Sequence, residues 1–120
     1  MNPYLLVALG SALGGVLRFW VSAAMGDRLG AAHLGTVFVN VSGSFAIGFL
    51  AALGPVPFAH RLLIVGVLGG YTTFSSFSLQ TLELAHQGRW ATAGANVVLS
   101  VVLSLAAVWL GHWCGAALRR

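Results

Sequence analysis

The chain has 120 residues, of which 58% are hydrophobic and only 7% charged, whereas soluble domains carry roughly 25% charged residues. Lysine is absent, and six scattered arginines (18, 28, 61, 89, 119 and 120) face two acids, Asp27 and Glu83. That pattern excludes a soluble domain and a basic face for nucleic acid, and leaves a protein that acts inside a lipid bilayer.

A spanning helix takes about 20 mostly apolar residues. Four such stretches use up nearly the whole chain, at about 4–24, 35–54, 62–85 and 93–115. The segments between them, "MGDRLGAAHL", "GPVPFAHR" and "HQGRWAT", carry the Gly, Pro or charge expected of loops. The expected fold is therefore all-α, a single transmembrane domain over 1–120. No basic region precedes the first apolar stretch and Arg18 interrupts it late, so it reads as a span and not as a cleaved signal. Were both termini on one side, that side would hold Arg61, Arg119 and Arg120 against Arg28 and Arg89 on the other. So even a count specifies almost no orientation. Either the chain inserts both ways, which permits an antiparallel homodimer, or its first span decides.

The first span contains "GSALGGVLRFW", where Gly10 and Gly14 form a G-x-x-x-G face for close helix approach. Arg18 lies past its middle, where a guanidinium must reach water, an anion or a partner. It either snorkels beside Trp20 or stands as a cation at a vestibule mouth. In the second span, Thr36, Asn40, Ser44 and Gly48 recur every four residues and so share a helical face. Facing lipid would be costly, so the stripe faces protein or water. Asn40 either joins two helices or offers its amide to an anion.

The third span contains "GVLGGYTTFSSFS", a polar and glycine-bearing interruption at membrane depth. Irregular backbone is tolerated there only when buried in protein or lining water. Gly69-Gly70 reads as the point of unwinding, and the carbonyls so released are ligands suited to a hard cation. The hydroxyls of Thr72, Thr73, Ser75 and Ser76 would satisfy other backbone groups at the break. Phe74 and Phe77, three apart, point to a similar face, and the positive edge of a phenyl ring can meet an anion without a formal charge. In the fourth span Asn96, Ser100 and Ser104 align at intervals of four, and Gly111 with Gly115 marks another close-packing face. Trp90, Trp109, Trp113 and Tyr4 fall near span ends, as interfacial aromatics do.

No nucleophile–base pair, carboxylate pair or metal-ligand cluster is present to support catalysis. Cys114 has no partner for a disulfide, "HWC" is too sparse for a metal site, and the four histidines lie in loops or at span ends. The residues alone point to a small-ion pathway.

"GGVLRF", "GTVFVNVSGSFAIG" and "GVLGGYTTFSSFS", in this order and across essentially the whole chain, resemble the Fluc/CrcB family of fluoride channels. The resemblance implies a dual-topology, antiparallel homodimer with two pores and a central structural sodium ion in a prokaryotic plasma or inner membrane. Carried over by position, the backbone carbonyls of Gly69 and Thr72 would hold the sodium. Asn40, Phe74 and Phe77 would line the fluoride pore, Ser100 and Ser104 the polar track, with Ser76 near it, and Arg18 the vestibule. Asn96 stands where some members have tyrosine, and Glu83 and Thr81 have no assigned role. The implied activity is passive export of fluoride. The alternatives are a small multidrug-type proton-coupled antiporter, for which the first span lacks the needed acid, and a non-transporting assembly subunit, which leaves the aligned donors unexplained.

Overall fold

The computed structural model describes residues 1–120 and contains only helices. They are α1 (Pro3–Leu29), α2 (Ala32–Ala52), α3 (Pro57–Ala59), a π-helix (His60–Leu68), α4 (Gly69–Tyr71), α5 (Phe74–His86) and α6 (Trp90–Leu118). The segment Pro57–His86 acts as one element of membrane length, interrupted at Thr72 and Thr73. With α1, α2 and α6 it makes four helices long and apolar enough to cross a membrane. The chain is a multi-pass membrane protein, as expected.

The helices outrun the expected spans. Most of "MGDRLGAAHL" is helical, because Asp27 and Arg28 do not break a helix and no proline intervenes. α1 stops only at Gly30, whose φ of 84° is left-handed and whose N–H bonds the Gly26 carbonyl at 2.9 Å. At 29 residues α6 is about 43 Å long at 1.5 Å per residue, beyond the ~30 Å hydrocarbon core, so it tilts or projects into the headgroups.

Small residues decide which helices touch. Lipid tails are as apolar as leucine, so helix association in a bilayer depends on close packing. A Cβ on Gly48 would strike the Val108 backbone, and one on Gly111 the Phe45 backbone, so α2 and α6 pack backbone to backbone. On the other side of the bundle, a Cβ on Gly10 would lie 2.8 Å from Gly66 Cα, which seats α1 on the π-helix. Both glycine faces inferred from spacing are therefore in use. Around these seams only 22 of 120 residues are buried, and Leu13, Val16, Phe19, Val98 and Leu105 point outward. A single copy thus keeps its largest apolar surface for lipid or for another chain.

One expectation is corrected. Gly69 is helical, with φ −64° and ψ −35°, and Gly70 lies within α4. The chain opens two residues later, where Thr72 (φ −79°, ψ 153°) and Thr73 (φ −148°, ψ 123°) are extended. β-Branched threonine suits extended backbone, so glycine's freedom is not required. Gly70 is needed for proximity instead, since a Cβ there would come within 2.6 Å of the Ser11 carbonyl oxygen on α1.

Candidate functional site

The break is held by side chains. Asn40 on α2 takes both backbone groups of Thr73: Nδ2 donates to the Thr73 carbonyl at 2.9 Å, and Oδ1 accepts the Thr73 N–H at 2.7 Å. Thr72 ends the preceding helix, its N–H and its hydroxyl each donating to the Leu68 carbonyl at 3.0 Å. Thr73 then caps α5, its Oγ1 accepting the Ser76 N–H at 3.2 Å. The expectation that hydroxyls satisfy the interrupted backbone is met.

The four carbonyls from Gly69 to Thr72 lose their helical donors at the break, and for two of them a side chain takes the donor instead. In a continuous helix the Gly69 carbonyl would accept from Thr73 N–H, and the Thr72 carbonyl from Ser76 N–H. Asn40 Oδ1 takes the first donor and Thr73 Oγ1 the second. The site contains no cluster of three His, Cys, Asp or Glu side chains, so the oxygens at the break are neutral ones, from carbonyls and hydroxyls.

Beside the break lies an open groove of about 380 Å³ between α2 and α6. It brings together Asn40, Phe74, Phe77, Ser100 and Ser104, five of the expected pathway residues, and adds Ser44 and Thr72. No ionisable side chain lines it. The rings of Phe74 and Phe77 sit with centroids 5.2 Å apart, tilted by 55°. They differ in accessibility: Phe77 is 8% exposed and Phe74 76%. The inner ring forms the wall and the outer one stands free at the open side.

Ser76 is not in this groove. With Arg18, Ser22 and Thr36 it lines a second cavity of about 190 Å³ behind the break. Only Thr73 borders both spaces. Arg18 thus has a cavity leading toward the break, and Ser76 sits on the arginine side because two residues past Phe74 is about 200° around α5, away from the groove. Asn96 also lies outside the groove, 2% exposed, and its Nδ2 donates to Thr81 Oγ1 at 3.0 Å. Glu83 lines a peripheral hollow with His33 and Arg89. Thr73 is the residue whose importance the sequence reading understated. Its signal was a threonine immediately before a resumed helical segment, the usual place for an N-cap.

The family model described as "CrcB-like protein, Camphor Resistance (CrcB)" matches residues 5–112. The chain belongs to the CrcB family. Within reach of this CrcB-family chain are proteins named fluoride-specific ion channel FluC. The one from Paramagnetospirillum magneticum is 50% identical, with all of both chains covered. That from Rhodospirillum rubrum is 53% identical over 91% of each chain. That from Methylocella silvestris is 47% identical over 98% of this chain and 95% of its own. Such coverage means that the CrcB likeness embraces the groove, the break and all four spans together.

Proposed function

We propose that this CrcB-family protein is a fluoride-selective passive channel that lets cytoplasmic fluoride leave the cell by electrodiffusion across the prokaryotic plasma or inner membrane. The observation that carries the reading is the charge-free groove in which an amide, two serine hydroxyls and a phenylalanine pair converge. A small anion must exchange its hydration shell for donors, yet bind weakly enough to leave again. Both Asn40 heavy atoms are bonded to Thr73, but an amide nitrogen carries two hydrogens. The second N–H is free for an ion. Ser100 and Ser104 continue the donors one turn apart along α6, and the ring edges of Phe74 and Phe77 supply positive potential without a formal charge. Arg18 raises the anion concentration near the break from the adjoining cavity, outside the groove, where it cannot trap the ion.

The working unit of this proposal is an antiparallel, dual-topology homodimer with two pores. Its support is the openness of the groove: a ring 76% exposed at its edge leaves one wall to be supplied, and the arginine count imposes almost no orientation. A central sodium ion belongs to the same proposal. The carbonyls of Gly69 and Thr72, freed of helical donors, are neutral oxygen ligands of the kind hard cations take, and a second copy would contribute the same pair. Bound there, sodium would join the two breaks electrostatically, while Asn40 and Thr73 keep each break open on its own chain.

Halide release from liposomes containing purified protein, followed with fluoride- and chloride-selective electrodes, tests the function. Rapid fluoride release with chloride retained is the expected result. No fluoride release from a sodium-loaded dimer would overturn it.

A further inference from the structure

Asn96 and Thr81 join α6 to α5 outside the groove, and the direction of their hydrogen bonds follows from proton counting. Thr81 is back-bonded to its own helix, its hydroxyl donating to the Phe77 carbonyl at 2.8 Å. A hydroxyl has one proton. With that proton spent on Phe77, Thr81 Oγ1 can only accept, so the atom 3.0 Å away must be the amide nitrogen of Asn96. The network therefore fixes the amide orientation. Asn96 Oδ1 is turned away from Thr81, buried and without a protein partner. One turn along α6, the Ser100 hydroxyl is likewise buried and unpartnered, and it lines the groove.

We propose that Asn96 is a positioning residue for the groove. Through Thr81 it holds the turn of α5 that carries Phe77 at a set distance from the serine track of α6. The relay runs from Asn96 Nδ2–H to Thr81 Oγ1, and from Thr81 O–H to the Phe77 carbonyl. Each bond polarises the next. Phe77 is the buried ring of the pair, so its placement depends on its own backbone, and that backbone is what the relay grips. Ser100 is one turn from Asn96 on the same helix, so the bond that locates Phe77 also locates the first hydroxyl opposite it. A pore in which donors replace hydration tolerates little change in that spacing. Neither Asn96 nor Thr81 lines the groove, so the proposed role is exerted through Phe77. This inference rests on the channel reading for its functional part alone.

The test uses the full-length dimer with Asn96→Leu, Thr81→Val and the double variant, with Thr81→Ser to retain the hydroxyl. Fluoride release is read from liposomes, and the environment of residue 77 is read by fluorine NMR with 4-fluorophenylalanine in place of Phe77. The expected result is a shifted ring resonance and a several-fold lower fluoride rate in both single variants. The double should lose no more than either single, and Thr81→Ser should lie near wild type. An unmoved resonance in Asn96→Leu or Thr81→Val, a wild-type rate despite a moved resonance, or losses that multiply in the double variant would each overturn the proposal. Were the wild-type dimer to carry no fluoride, the channel reading would fail, and the relay would stand or fall on the ring resonance alone.

Discussion

Asn40 grips Thr73 at both its carbonyl and its backbone N–H, donating to the first at 2.9 Å and accepting from the second at 2.7 Å across 33 residues of sequence. The bond to Oδ1 replaces the one that Thr73 N–H would have made to the Gly69 carbonyl in an unbroken third span, and the bond from Nδ2 adds a second tie at the Thr73 carbonyl. The pair also fixes the amide plane of Asn40 at the wall of the groove.

Asn40→Asp keeps the acceptor and loses both N–H donors. The Thr73 carbonyl then faces a carboxyl oxygen, and a lost partner of a buried hydrogen bond costs about 1–3 kcal/mol. Fluoride flux should fall roughly tenfold or more, since 1.4 kcal/mol is about a factor of ten in rate, while the dimer still assembles. Electrode-monitored release together with gel filtration of the same preparation checks this; an unchanged rate removes Asn40 from the pathway.

Phe74→Ile and Phe77→Ile keep apolar bulk but remove the ring edge. Both should lower fluoride release strongly without admitting chloride. The exposed position of Phe74 makes its variant the cleaner test, because an isoleucine there meets little in its own chain. Wild-type release from Phe74→Ile would show that the quadrupole has no role.

Thr73→Val removes the cap of α5 and the hydroxyl shared with Ser75 and Ser76. Loss of an N-cap costs typically ~1 kcal/mol, so a modest fall in thermal stability is expected. Flux should drop further than stability does, because the same residue borders both the groove and the Arg18 cavity. Melting curves and release rates measured side by side separate the two effects.

Gly111→Leu should prevent correct packing of α6 on α2, as its Cβ has no room beside the Phe45 backbone. Gly94→Ala is the contrasting case: nothing lies within 4 Å of a Cβ there. In a helix interior that change stabilises by about 1 kcal/mol at most. Expression and thermal melts in detergent should diverge sharply between the two variants.

Rigorous replacement of sodium by a large organic cation should loosen the dimer and slow flux, and sodium should restore both. Dimer stability and release indifferent to sodium would count against Gly69 and Thr72 as ligands.

Much of this was legible beforehand for reasons of periodicity. Polar residues four apart must share a face, and a polar face cannot meet lipid, so Thr36, Asn40 and Ser44 were bound to point inward. Their separate duties were not legible. Thr36 borders the Arg18 cavity, whereas Asn40 and Ser44 border the groove. That division depends on where the third span crosses α2.

The location of the break shows the same limit from the other side. Gly69-Gly70 is the weakest point by local propensity, yet the chain stays helical there and opens at Thr72 and Thr73. Glycine only permits an opening; a distant donor–acceptor pair on Asn40 enforces one, and local preference contains no information about that pair.

Composition and spacing by themselves determined a four-span membrane helix bundle, its glycine seams and its aligned donors, because a bilayer allows few other solutions for such a chain. Only the tertiary structure decided that Ser76 turns to the arginine side, that Asn96 works through Thr81, and that Thr73 stands between the two cavities. Those outcomes rest on bonds between side chains distant in sequence, whose partners exist only once the helices have packed.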